Sequence, residues 1–239
     1  MDGTTVLLTV MAGGAGLIAG ALVPSMVRAG AQRLFFEWQE QARATLELPT
    51  ASAMSNELPH PTFARRLFCA AALAACWAGL ALTAGPSIQA LAYAAFLWAL
   101  LALTMFDLDH MLLPDVLTLP LLWAGLLLSS IGVTGVPLTA AVWGATLGYL
   151  SLWIFYWAFR LATGKEGLGY GDFKLLAAFG AWCGPLALAP IVAGASVIGA
   201  AVGVYLRVRR GNTGPLPFGP SLAFSASAYA FVQLLLSRA

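Results

Sequence analysis

Eight runs of mainly apolar residues divide the chain, at 4–27, 67–84, 88–106, 116–132, 137–159, 172–183, 186–206 and 220–237. A membrane-crossing helix needs about 20 such residues, and fewer where protein shelters it. Only 9% of the 239 residues are charged, against roughly 25% in an ordinary soluble domain. So few charges could not cover a soluble surface. A net charge of +2 supplies no basic face for nucleic acid, so no nucleic-acid partner is expected. The chain reads as an all-α polytopic integral membrane protein of about eight transmembrane helices in contact with membrane lipid. The sixth run is short, and Gly184-Pro185 separates it from the seventh. The first run follows Asp2, with no Lys or Arg ahead of it, which is unlike a signal peptide.

The basic residues give the expected threading. Arg28, Arg33, Arg43, Arg65 and Arg66 fall in 28–66, Arg160 and Lys165 before the sixth run, and Arg207, Arg209 and Arg210 in 207–219. Connections 85–87, 133–136 and 184–185 hold neither Lys nor Arg. Positive loops favour the cytoplasmic side. Eight spans then place both termini outside and these basic loops inside, with Arg238 left on the far side.

Residues 28–66 form the one sizeable polar segment. Phe35, Trp38 and Ala42 recur at helical spacing, opposite Arg33, Glu37 and Glu40, which predicts a helix over 34–48 lying on the inner membrane surface. Pro49, Pro59 and Pro61 then predict a loop, with His60 a turn residue. The chain divides into 1–66, a first span plus this loop, and 67–239, a transmembrane core. Cys69, Cys76 and Cys183 lie in apolar runs and read as small packing residues. No His, Cys or carboxylate cluster has metal-ligand spacing.

Five acids fall at the cytoplasmic ends of spans three to six: Asp107, Asp109, Asp115, Glu166 and Asp172. Acids at membrane depth are costly and point to function. Asp107 closes the third span and Asp172 opens the sixth in Gly169-Tyr170-Gly171-Asp172. Two facing carboxylates can share a proton and activate water for attack on a peptide carbonyl. The same two residues can also serve as a helix end and an N-cap. Gly169 and Gly171 let backbone approach an extended substrate and permit unusual dihedrals. Asp115, after Pro114, is expected to N-cap the fourth span. Asp109 reads as a solvated loop acid and His110 as incidental.

Three stretches resemble the type IV prepilin peptidases, the GxGD membrane aspartic proteases. They are Phe106-Asp107-Leu108-Asp109-His110 through Pro114-Asp115 and Pro120, Gly164-Lys165-Glu166-Gly167-Leu168-Gly169-Tyr170-Gly171-Asp172 through Leu176, and Pro217-Phe218-Gly219-Pro220. The resemblance covers 100–225 in the right order. It implies an aspartic endopeptidase of the bacterial inner membrane, with Asp107 and Asp172 catalytic at the cytoplasmic face. The implied partner is a type IV prepilin or pseudopilin, with a basic leader followed by an apolar helix. Gly169, Gly171, Asp109, Asp115 and Glu166 are its expected contacts, the three acids attracting the leader. The peptidase implies no cofactor. Many members of the family carry Cys-x-x-Cys pairs in the first loop, whereas 28–66 holds no cysteine. Zinc is therefore not expected, and S-adenosylmethionine is expected only if the family's methylation of the new N-terminus is retained.

Asp107 sits at the negative end of its span's helix dipole and Asp172 at the positive end. That assigns Asp172 as the base activating water and Asp107 as the acid facing the carbonyl oxygen. The rival reading is a transporter or proton-relay protein, which would need acids near the midplane on broken helices.

Overall fold

The computed structural model describes residues 3–46, 58–165, 167–210 and 216–236. Among them are eight α-helices and no strand: α1 (Gly3–Leu46), α2 (Phe63–Ala84), α3 (Ile88–His110), α4 (Asp115–Ser130), α5 (Leu138–Thr163), α6 (Tyr170–Cys183), α7 (Leu188–Arg210) and α8 (Gly219–Leu236). Each apolar run falls on one helix. Six are long and apolar enough to cross a membrane. α4 and α6, with 16 and 14 residues, reach only about 24 and 21 Å at 1.5 Å per residue. That is short of a hydrocarbon core of roughly 30 Å.

α6 can be short because the bundle encloses it. Its residues from Asp172 to Cys183 are buried, apart from half-buried Lys174. Gly144 of α5 and Gly180 of α6 bring their backbones together with no room for a β-carbon on either. On the other side the Trp182 indole donates 2.8 Å to the Leu121 carbonyl of α4. It also packs against Tyr93 and Phe96 of α3, with ring centroids 5.6 and 4.7 Å apart. α6 ends as expected at Gly184, whose φ of 81° suits glycine, and a 3₁₀ turn over Pro185–Ala187 leads into α7.

The N-terminal expectation is corrected. The predicted surface helix over 34–48 is not separate from the first span: its described part continues α1 without a break to Leu46. A helix of 44 residues is roughly 66 Å long. Arg28 and Arg33 mark where the chain leaves the apolar region, but arginine does not break a helix. Pro24 inside α1 does not stop it either. Phe35 turns toward the protein rather than the membrane surface, its ring 5.3 Å from that of His110 on α3. The segment 47–57 lies outside the described residues. Arg28 donates 2.7 Å to the Leu58 carbonyl and pairs at 2.7 Å with His60 Nδ1, so His60 holds a partner rather than only shaping a turn.

Side-chain contacts gather one set of helix ends. Arg65 at the start of α2 meets Asp109 at the end of α3 at 2.6 Å, and Lys174 at the start of α6 meets Asp115 at the start of α4 at 2.6 Å. The start of α8 joins the same end, through Asp107.

Candidate active site

α3 carries Asp107 in its last turn. Met111 closes that helix in the left-handed conformation (φ 49°, ψ 40°), and its N–H donates 2.9 Å to the Asp107 carbonyl. α6 carries Asp172 in its first turn, after Gly169 in extended backbone (φ −79°, ψ 144°). Both aspartates are nearly enclosed, with 5% and 6% of their surface exposed. They line one cavity of about 320 Å³ with Met111, Leu113, Leu168, Gly169, Gly171 and the segment Leu216 to Phe218. Their charges lie close enough to interact.

The Asp107 carboxylate takes a backbone hydrogen bond from a glycine. Gly219 N–H donates 2.9 Å to Asp107 Oδ2, and the Asp172 N–H donates 3.1 Å to the Gly169 carbonyl, which opens α6. Gly219 is the first residue of α8, so a helix N-terminus faces Asp107 as well as Asp172. This corrects the dipole argument, which weighed only α3 against α6. The α8 end offsets the unfavourable α3 end at Asp107, so the dipoles separate the two carboxylates less than α3 and α6 alone would, without reversing their order. The Gly219 bond also fixes an atom: Oδ2 is occupied as an acceptor, so a proton carried by Asp107 sits on Oδ1.

The other candidates divide. Gly169 and Gly171 join the cavity, but neither has a positive φ. Gly171 is needed for close approach, since a β-carbon there would stand 2.7 Å from Leu113 Cβ. Asp109 and Asp115 do not line the cavity. Asp109 is not a loop acid but belongs to the last turn of α3, paired with Arg65. Asp115 is not the N-cap of α4: Pro114 holds that position with no side-chain capping bond. Both Asp115 oxygens instead accept from Lys174 Nζ, at 2.6 and 2.8 Å. Glu166 lies outside the described residues. His110 lies beside the rings of Phe35 and Phe106, with centroids 5.3 and 6.1 Å away. Among the described residues, no three His, Cys, Asp or Glu side chains group as a metal site.

Three features were not expected from sequence. Gly219 stands in the Pro217-Phe218-Gly219-Pro220 string, which by itself gives it no role. Met111 and Leu113, lining the cavity, gave no signal. Beside the cavity, Tyr170 OH donates 3.4 Å to Tyr156 OH, which also accepts 3.2 Å from Arg160 Nη1. This chain ties the glycine turn to the end of α5.

Helices long enough to cross a membrane, with two enclosed carboxylates sharing a cavity at one end, define a polytopic membrane protein with a paired-carboxylate site. The family model described as the type IV leader peptidase family matches residues 94–204. A prepilin leader peptidase/N-methyltransferase of Stutzerimonas stutzeri is 41% identical over 251 aligned positions, covering 87% of this chain and 86% of the relative. Proteins of the same name from Aeromonas salmonicida (strain A449) and Pseudomonas putida are each 54% identical, over 148 and 143 positions. Those matches span 61% and 59% of this chain and only 50% and 49% of the relatives. No solved structure matches. The chain belongs to the type IV leader peptidase family.

Proposed function

We propose that the chain is a membrane aspartic endopeptidase that removes the leader of type IV prepilins or pseudopilins at the cytoplasmic face of the bacterial inner membrane. Asp107 and Asp172 are the catalytic pair. The observation that carries this is the shared cavity, where two carboxylates from distant parts of the chain meet at the gathered helix ends. One carboxylate takes a proton from water as its oxygen bonds to the scissile carbonyl carbon, and the other gives a proton to the carbonyl oxygen. The tetrahedral intermediate then collapses, the C–N bond breaks, and the leaving amine takes up a proton. Residues 67–239 form the peptidase core, and 1–66 an accessory unit.

The proton-relay reading is not favoured, because both aspartates lie at helix ends beside a cavity rather than at mid-span. The test is direct. Purified protein in proteoliposomes, given a full-length prepilin, releases the leader and leaves the shortened pilin. An intact prepilin after long incubation contradicts the reading.

The relatives' names include N-methyltransferase, whose methyl donor is S-adenosylmethionine. In the described part of 28–66, charged side chains stand beside an apolar cavity. Arg28 is already engaged by Leu58 and His60. The neighbouring cavity, which includes Arg33 and Glu37, is otherwise walled by side chains such as Met26, Val27, Leu34 and Trp98. Arg33 and Glu37 are the polar groups of that lining, and methylation of the new N-terminus is the second activity that the relatives' names support.

A further inference from the structure

Three apolar grooves are cut into the outer surface of the described bundle: between α1, α3 and α4, between α2, α3 and α8, and between α5 and α7. Of the three, only the last shares walls with the aspartate cavity: Gly167, Leu168 and Phe218 line both. We propose that the α5–α7 groove seats a membrane-embedded apolar helix of the substrate, the segment adjoining the bond cut between Asp107 and Asp172. This rests on the peptidase reading above.

The groove has a volume of about 1020 Å³. Its α5 wall carries Leu150, Ile154 and Phe155, all exposed in the free chain. Its α7 wall carries Ala189, Val192 and Ala193. Ala189 and Ala193 are one helical turn apart, and small residues at that spacing let a second helix approach closely within a membrane. The Ser196 hydroxyl on the same wall is satisfied by the Val192 carbonyl at 2.8 Å, so the wall asks for no polar partner. A lipid chain could fill an apolar groove anywhere on the bundle. A groove that opens into a polar cavity with two carboxylates suits one continuous chain, extended at the aspartates and apolar and helical just beyond. The shared residues are where that chain would turn from one compartment into the other.

A photoreactive benzophenone residue placed at Ile154 or Val192 in the Asp172→Asn variant, in proteoliposomes with prepilin, is expected to capture the prepilin helix. The same residue at Phe224, in the α2–α3–α8 groove, is expected to capture lipid only. Separately, Ala193→Trp in the otherwise unaltered chain is expected to slow prepilin cleavage by roughly tenfold, about 1.4 kcal/mol. It should leave cleavage of a soluble peptide spanning only the leader junction unchanged. Prepilin adducts at Phe224 alone, or lipid adducts alone at Ile154 and Val192, overturn the groove while wild-type cleavage still supports the peptidase. Equal loss on both substrates also overturns it. No cleavage by the unaltered chain overturns the peptidase reading, and the groove with it.

Discussion

The backbone N–H of Gly219 donates 2.9 Å to Asp107 Oδ2, joining the first turn of α8 to the last turn of α3 across 112 positions of sequence. The contact depends on the missing side chain, because a β-carbon on Gly219 would stand 2.5 Å from the same oxygen. It fixes the rotamer of one member of the pair and leaves Oδ1 toward the reaction.

Gly219→Ala is therefore expected to displace the Asp107 carboxylate without removing either aspartate. Positioning of this kind is typically worth around 10²-fold in rate when lost. The check is the prepilin cleavage rate alongside thermal unfolding in detergent. A rate near wild type would show that the Gly219 contact does not position Asp107.

Tyr156→Phe removes the hydroxyl that links Tyr170 to Arg160 while keeping the ring packed on Phe173, 5.7 Å away. The expected loss of stability is about 1 kcal/mol for the hydrogen bonds. Cleavage should also slow, because the turn carrying Asp172 loses a tether. Stability that falls while the rate holds would make the chain a packing feature only.

Asp109 and Asp115 are each matched by a cation, Arg65 and Lys174. Neutralising Asp109, Asp115 and Glu166 together is expected to cost little stability, since partly exposed ion pairs contribute about 0–1 kcal/mol each. If these acids draw in a basic leader, the triple variant cleaves more slowly at low ionic strength, and the difference shrinks as salt screens it. A leader stripped of its Lys and Arg should be indifferent. Equal slowing of both leaders would remove the acids from recognition.

How much of this was legible in sequence follows from the range of each interaction. Apolar run length located all eight helices, because burial in lipid depends on local composition. The scarcity of charge exposed Asp107 and Asp172 as exceptions. Contacts between distant residues left no such mark. Asp115 beside Pro114 reads locally as a cap, yet Lys174, 59 positions away, takes both its oxygens. The Gly219 contact spans almost twice that distance, so the helix dipole at Asp107 was counted from α3 alone. The continuity of α1 was hidden for another reason. Arg28 and Arg33 signal departure from the membrane, but helix propensity takes no account of where the membrane ends.

Mass spectrometry of the mature pilin N-terminus separates the two activities in the relatives' names. Cleavage by this chain alone is the expected result, and the presence or absence of a methyl on the new N-terminal amine decides whether the second activity is retained. Efficient methylation would show that a first loop without cysteine suffices for methyl transfer.

Substitution of each aspartate by its amide tests the central claim most directly. Asp107→Asn and Asp172→Asn preserve shape, and the new amide oxygen at 107 can still accept from Gly219. Both variants should insert and unfold like wild type, yet each should lose prepilin cleavage by at least the 10²–10⁴-fold that a positioned acid or base supplies. Substantial cleavage by either variant, in membranes where the wild type is active, would contradict a two-aspartate mechanism.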